Sequence, residues 1–151
     1  MKKLSLVIMA LVAALVLAGC KSTGNQEAVN ESFKKVYSTY SGIVNLDGAE
    51  NYKVAEGDTL TSIAKAKYGD NNGYYFPLIM VASKNVSDPE LITPGTSLVI
   101  PDYNANINDK EQAARLKPYF KDIANVYKQK KTPGAKDIRE QLLLIAEDLG
   151  K

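Results

Sequence analysis

Two short strand-like segments limit what the middle of this chain can fold into. Tyr52-Lys53-Val54 alternates apolar and polar side chains, as a half-buried strand does, and Glu56-Gly57-Asp58-Thr59 breaks it. Ser97-Leu98-Val99-Ile100 is the second segment, entered from a Pro94-Gly95 turn and stopped by Pro101. Two helical patterns lie between them. The first sets Leu60, Ile63, Ala64 and Tyr68 on one face, keeps Lys65 and Lys67 off it, and ends at Gly69. Asp58 and Thr59 are both suited to cap it, and the pattern leaves the choice open. The second begins near Phe76, with Pro77 in its first turn, where a missing N–H costs little. Its inner face is Leu78, Ile79 and Ala82, and Asn85 closes it in the left-handed region. Asp70-Asn71-Asn72-Gly73 and the stretch from Val86 to Ile92, which contains Asp88-Pro89, are loops. The order is therefore strand, helix, helix, strand. A unit of about fifty residues buries little surface, so its core must be compact. The expected core is Tyr52, Val54, Leu60, Ile63, Ala64, Leu78, Ile79, Ala82, Ile92, Leu98 and Ile100.

Helical patterns flank this unit. From Glu27 to Tyr40, Val29, Phe33, Val36, Tyr37 and Tyr40 share one face, and Ser41-Gly42 stops the helix. Asp47-Gly48, between Ile43-Val44-Asn45-Leu46 and Ala49 to Val54, signals either a hairpin or an irregular linker. Beyond Pro101, Asn108 or Asp109 can start a helix that aligns Leu116, Tyr119, Phe120, Ile123, Val126 and Tyr127. Pro118 predicts a kink or a break in it. Thr132-Pro133-Gly134 turns the chain into a last helix, Lys136 to Leu149, with Ile138, Leu142, Ile145 and Leu149 aligned. These two segments form an antiparallel helical hairpin. Their apolar faces must meet each other, the N-terminal helix, the small unit or a partner. The tyrosines of the aromatic stretch Gly73-Tyr74-Tyr75-Phe76-Pro77 can stack on a sugar or pack on the flanking helices, and packing is preferred.

Composition narrows the chemistry. The chain has no histidine, which removes the usual general base, the commonest zinc ligand and the middle member of most catalytic triads. Its single cysteine, Cys20, permits neither an internal disulfide nor a cysteine metal site. Glu140, Glu147 and Asp148 lie on a helix as a solvated face rather than as an acid–base pair. No catalytic residue, metal or cofactor is expected. Without Lys2 and Lys3 the 19 basic residues become 17, equal to the 17 acidic ones. A neutral remainder has no long-range attraction for nucleic acid, and none is expected as a partner.

Residues 1–19 read as a secretory leader: Lys2 and Lys3 supply positive charge, and Leu4 to Ala18 carries one polar residue, Ser5. The stretch is short for a membrane span, which needs about 20 apolar residues. It ends in Leu17-Ala18-Gly19-Cys20, which resembles the bacterial lipobox. That resemblance implies that Cys20 accepts a diacylglyceryl group and becomes the mature N-terminus, anchored to a bilayer rather than crossing it. Residues 20–26 are then the lipidated N-terminus and a flexible polar tether. In enteric bacteria an Asp after the cysteine favours the inner membrane, so Lys21 favours the periplasmic face of the outer membrane.

The central unit, residues 51–101, resembles the LysM domain family. The resemblance is carried by Tyr52-Lys53-Val54, Gly57-Asp58-Thr59-Leu60, Ile63-Ala64, Tyr68-Gly69, Asn85, Asp88-Pro89, Leu91-Ile92, Pro94-Gly95, Leu98, Ile100 and Pro101, two separated blocks in order. It implies an α+β fold: a βααβ unit with both helices on one side of a two-stranded antiparallel sheet, between residues 27–50 and the helical region 102–151. It also implies binding of N-acetylglucosamine glycans such as peptidoglycan. Carried over by position, Gly57, Asp58, Thr59 and Leu60 form one groove wall, and Asp88, Pro89, Glu90, Leu91 and Ile92 form the other. An acetamido sugar offers an amide, hydroxyls and a methyl group. Loop backbone, Asp58 and Thr59 suit the polar groups, and Leu91 and Ile92 suit the methyl. The same residues have structural uses: capping for Asp58 and Thr59, core packing for Leu60 and Ile92, a turn at Asp88-Pro89. The chain departs from the family at Leu60-Thr61-Ser62, where many members carry an aromatic. The expectation is a non-catalytic, lipid-anchored peptidoglycan-binding protein of the cell envelope. The alternative is an envelope scaffold that recruits another protein through the C-terminal helices.

Overall fold

The computed structural model describes residues 20–84 and 86–151. Residues 1–19, the expected leader, and Asn85, the expected left-handed helix closure, lie outside the described residues. Strands β1 (Glu50–Lys53) and β2 (Ser97–Ile100) pair antiparallel, Glu50 opposite Ile100 and Tyr52 opposite Leu98. β2 buries Leu98 and Ile100 and exposes Ser97, the period of two that its sequence carries. Two further bonds extend the ladder: Val54 N donates to Thr96 O (2.9 Å) and Gly95 N to Val54 O (2.8 Å). Gly95 has φ +87°, a turn conformation that favours glycine.

Helices α2 (Leu60–Tyr68) and α3 (Pro77–Ala82) lie between the strands, joined through a tighter helical stretch, Asp70–Tyr75. Thr59 is the N-cap of α2. Its hydroxyl accepts from Ser62 N, while Ser62 Oγ accepts from Thr59 N, a reciprocal capping box. Thr59→Ala is expected to lower stability by about 1 kcal/mol, read as a shift in the urea midpoint. Ser83 follows α3 and locks it to the sheet, its hydroxyl accepting from Val99 N (2.9 Å). Eight expected core residues are buried: Val54, Leu60, Ile63, Ala64, Leu78, Ile79, Leu98 and Ile100. Tyr52, Ala82 and Ile92 are only partly buried. Tyr52 turns its hydroxyl outward to Asp58, and Ile92 borders a groove. Phe76, Met80 and Val86 fill the core instead.

The flanks correct one expectation and decide one open alternative, in favour of the irregular linker that precedes β1. Helix α1 runs Cys20–Thr39, so residues 20–26 are helical rather than a loose tether. They contain no proline, and docking of the next turns propagates helix into them: Val29 and Phe33 are buried, and Gln26 reaches Asp88. The segment Ile43 to Leu46 makes no hairpin strand. Its backbone is satisfied by side chains. Asn106, fully buried, accepts from Asn45 N and donates to Asn45 O, both at 2.8 Å, and Gln112 donates to Ile43 O at 2.7 Å.

A π-helical turn, Asn104–Asn108, leads to α4 (Lys110–Tyr127), which is capped by Asp109. The helix passes Pro118 without a break. The proline is exposed and forfeits one backbone bond, whereas Leu116, Tyr119 and Phe120 are fully buried and hold the turns around it. The chain then turns at Thr132-Pro133-Gly134 into α5 (Ala135–Asp148), which packs against α4 as a hairpin. The hairpin meets α1 through Phe33–Tyr127 and Tyr40–Tyr119 ring contacts (5.7 and 5.3 Å between centroids). It meets the βααβ unit through Tyr75–Phe120 and Phe76–Tyr127 (6.0 and 6.3 Å), and Tyr119 donates to Pro77 O at 2.8 Å. Tyr75 and Phe76 therefore pack on the flanking helices. Among the described residues, no helix is long and apolar enough to cross a membrane.

Candidate functional site

The turn after β1 and the loop before β2 face each other across a cavity of about 250 Å³. Asp58, Thr59, Leu60 and Thr61 line one side, and Pro89, Glu90 and Ile92 line the other. Phe76 borders the cavity from the start of α3. Tyr127 and Ile138 come from the C-terminal hairpin.

The first wall is rigid because its polar groups are already used locally. Asp58 Oδ2 accepts from Ala55 N (2.7 Å) and from the Tyr52 hydroxyl (2.8 Å), which closes the turn between β1 and α2. The Tyr52 phenol is held above its ordinary pKa, first by that hydrogen bond, then by burial and the Asp58 charge. Gly57 does not line the cavity. It sits exposed in the turn at φ +85° and redirects the chain toward α2.

The second wall is held from behind. Asp88 is fully buried and does not line the cavity. Its carboxylate accepts from Lys130 Nζ (2.8 and 3.0 Å), from Gln26 Nε2 (2.6 Å) and from Glu90 N (2.9 Å). Lys130 also lies 3.1 Å from Glu90. Burial, then the Glu90 and Asp88 charges, push the Tyr127 phenol upward, so it stays neutral beside this group. Leu91 stands outside the cavity and is 61% exposed, the most exposed of the large apolar side chains among the described residues.

The structure thus brings Asp58, Thr59, Leu60, Pro89, Glu90 and Ile92 to one cavity, and sets Gly57, Asp88 and Leu91 beside or behind it. Thr61, Phe76, Tyr127 and Ile138 join them without having been expected there. Thr61 follows directly from α2 starting at Leu60, since its position on the first turn faces the cavity. The hairpin residues carried no local signal, because their place depends on long-range docking. Chemically, the cavity combines hydroxyl and carboxylate acceptors with an apolar lining of Phe76, Ile92 and Ile138. It suits a neutral polar ligand bearing one small apolar group. Its two carboxylates are already engaged, Asp58 by the turn and Glu90 by Lys130.

Residues 52–101 match the family model of the LysM domain. No curated protein and no solved structure gives a significant match to the chain. LysM domains bind peptidoglycan and related N-acetylglucosamine glycans and are typically non-catalytic. The match ends at Pro101, so Tyr127, Lys130 and Ile138 stand outside the LysM domain.

Proposed function

We propose that this LysM-containing protein is a non-catalytic tether, binding peptidoglycan glycan through the cavity between its two loops and a membrane through a lipid on Cys20. The observation that carries the reading is the meeting of Asp58–Thr61 with Pro89, Glu90 and Ile92 over one cavity with mixed polar and apolar lining. The sugar amide and hydroxyls pair with loop backbone and the Thr59 and Thr61 hydroxyls. The N-acetyl methyl rests on Ile92 and its apolar neighbours. One such site gives weak binding per sugar, and confinement near the wall compensates by raising effective concentration. The leader, the Ala18-Gly19-Cys20 sequence and Lys21 support a lipid-anchored place in the cell envelope, on the periplasmic face of the outer membrane.

The alternative, recruitment of another envelope protein through the C-terminal helices, draws no support from the aromatic face of α4, which is turned into the fold. Tyr119, Phe120, Ile123 and Tyr127 are all buried within the fold.

The test is co-sedimentation of residues 21–151 with purified peptidoglycan sacculi. The comparison is Leu91→Ala/Ile92→Ala, whose side chains are exposed and half-buried, so the fold should hold. Asp58→Ala is unsuitable, because its carboxylate closes a turn. The parent is expected in the pellet, and the variant is expected to lose most of that binding. A folded parent that stays in the supernatant would sink the tether reading.

A further inference from the structure

We propose that the C-terminal hairpin is part of the glycan site, with Ile138 as a ligand contact and Lys130 as the positioning residue for the second wall. This rests on the glycan reading above and extends it outside the LysM domain.

Lys130 lies just beyond α4, 42 residues from Asp88 in sequence. Its side chain is only 2% exposed, and that of Asp88 is 0% exposed. Its ammonium lies beside the contacting Phe33 and Tyr127 rings, 5.7 and 5.6 Å from their centroids. In so apolar a place the ammonium is held by its two carboxylates, Asp88 and Glu90. Those carboxylates belong to one tight turn. Asp88 Oδ1 accepts from Glu90 N, and Asp88 O accepts from Leu91 N at 3.1 Å. Pro89, Glu90 and Ile92 from that turn line the cavity, and Lys130 does not. Lys130 therefore sets where the second wall stands. Without it, the buried Asp88 carboxylate would lose its cation beside the partly exposed Glu90 carboxylate, and the turn would move toward water.

The hairpin also borders the cavity directly. Tyr127 is buried and serves as backing, whereas Ile138 is half-buried and reaches the ligand space. Its β-branched side chain offers a stiff apolar surface to an acetamido methyl. A LysM sequence pattern read alone would assign neither residue.

The experiment uses residues 21–151 and an N-acetylglucosamine tetramer, with affinity from calorimetry and amide shifts from 15N-resolved NMR. Lys130→Met, measured where near-UV circular dichroism shows it folded, is expected to bind about tenfold more weakly, a loss of about 1.4 kcal/mol. Its amide shifts should concentrate at residues 88–92. Tyr119→Phe loses a buried hydrogen bond in the same hairpin and is the control for destabilisation alone. It should bind as the parent does. Ile138→Trp fills the cavity from its edge and keeps the test decisive should Lys130→Met fail to fold. It is expected to weaken binding by at least about tenfold, or 1.4 kcal/mol. A parent that binds beside Lys130→Met or Ile138→Trp variants of unchanged affinity overturns the inference alone. A folded parent that binds no glycan overturns the glycan reading and the inference with it.

Discussion

Replacing Lys130 by methionine is expected to lower the stability of the protein by about 3–5 kcal/mol, the usual cost of leaving one member of a buried ion pair without the other. Asp88 cannot escape to water without breaking the turn it organises. Gln26 would still donate to it, which partly offsets the loss. Asp88→Leu combined with Lys130→Met should recover part of the stability, because a pair replaced by apolar side chains of similar volume is often neutral or better, while Glu90 N and the Gln26 amide lose their acceptor. Urea unfolding of the four members of this cycle gives the coupling between the two positions. A loss below about 1 kcal/mol in the single variant would place the pair with ordinary surface salt bridges and count against its buried role. A small domain has only about 5–15 kcal/mol in total, so the single variant should fold but with a narrow margin.

The parts of the fold with a strong local signal could be read in advance. The strands are marked by alternation and by Pro101, α2 by Leu60, Ile63 and Ala64, and α3 by Pro77 at its start. The hairpin α4–α5 is visible in its apolar stripe; of the kink or break that Pro118 predicts, the break does not occur, because local propensity gives way to packing of Tyr119 and Phe120. The linker stays open in the sequence, between a hairpin and an irregular run, for a different reason. Asp47-Gly48 is a good hairpin signal, but Asn106 and Gln112, about sixty residues away along the chain, satisfy the backbone that a hairpin would have paired. The helical start of α1 was also hidden, since its docking partners are distant. Among the site residues, the LysM pattern located both loops but not the division of labour inside them. Thr59 caps, Asp58 closes a turn, Asp88 faces inward to Lys130, and only part of each loop faces the cavity. An aspartate next to a proline in a loop looks solvent-facing in sequence. Its burial here requires a lysine that no local pattern connects to it.

Cys20→Ser is expected to abolish incorporation of labelled fatty acid into the protein, with no residual fraction. A thiol is the nucleophile that the proposed lipid transfer needs, and a serine hydroxyl is far less reactive at neutral pH. The size of the effect follows from Cys20 being the one thiol in the sequence. Leu4 to Ala18 as a helix would span roughly 22 Å, short of the ~30 Å hydrocarbon core. Among the described residues, no helix can cross a bilayer. Each buried methylene contributes about 0.8 kcal/mol, so two or more acyl chains are sufficient for lasting attachment. The position of the lipid also has a geometric consequence. From Cys20 to Gln26, where α1 engages Asp88, is a helical rise of only about 9 Å. A lipid on Cys20 would therefore hold the LysM domain close to the bilayer surface and fix its orientation through α1, in place of a loose leash. Metabolic labelling with palmitate in a bacterial host, followed by detergent phase partition, reads both the attachment and its loss. A parent that takes up no label, or a Cys20→Ser variant that keeps it, would remove the membrane half of the tether and leave a glycan-binding protein with no anchor assigned.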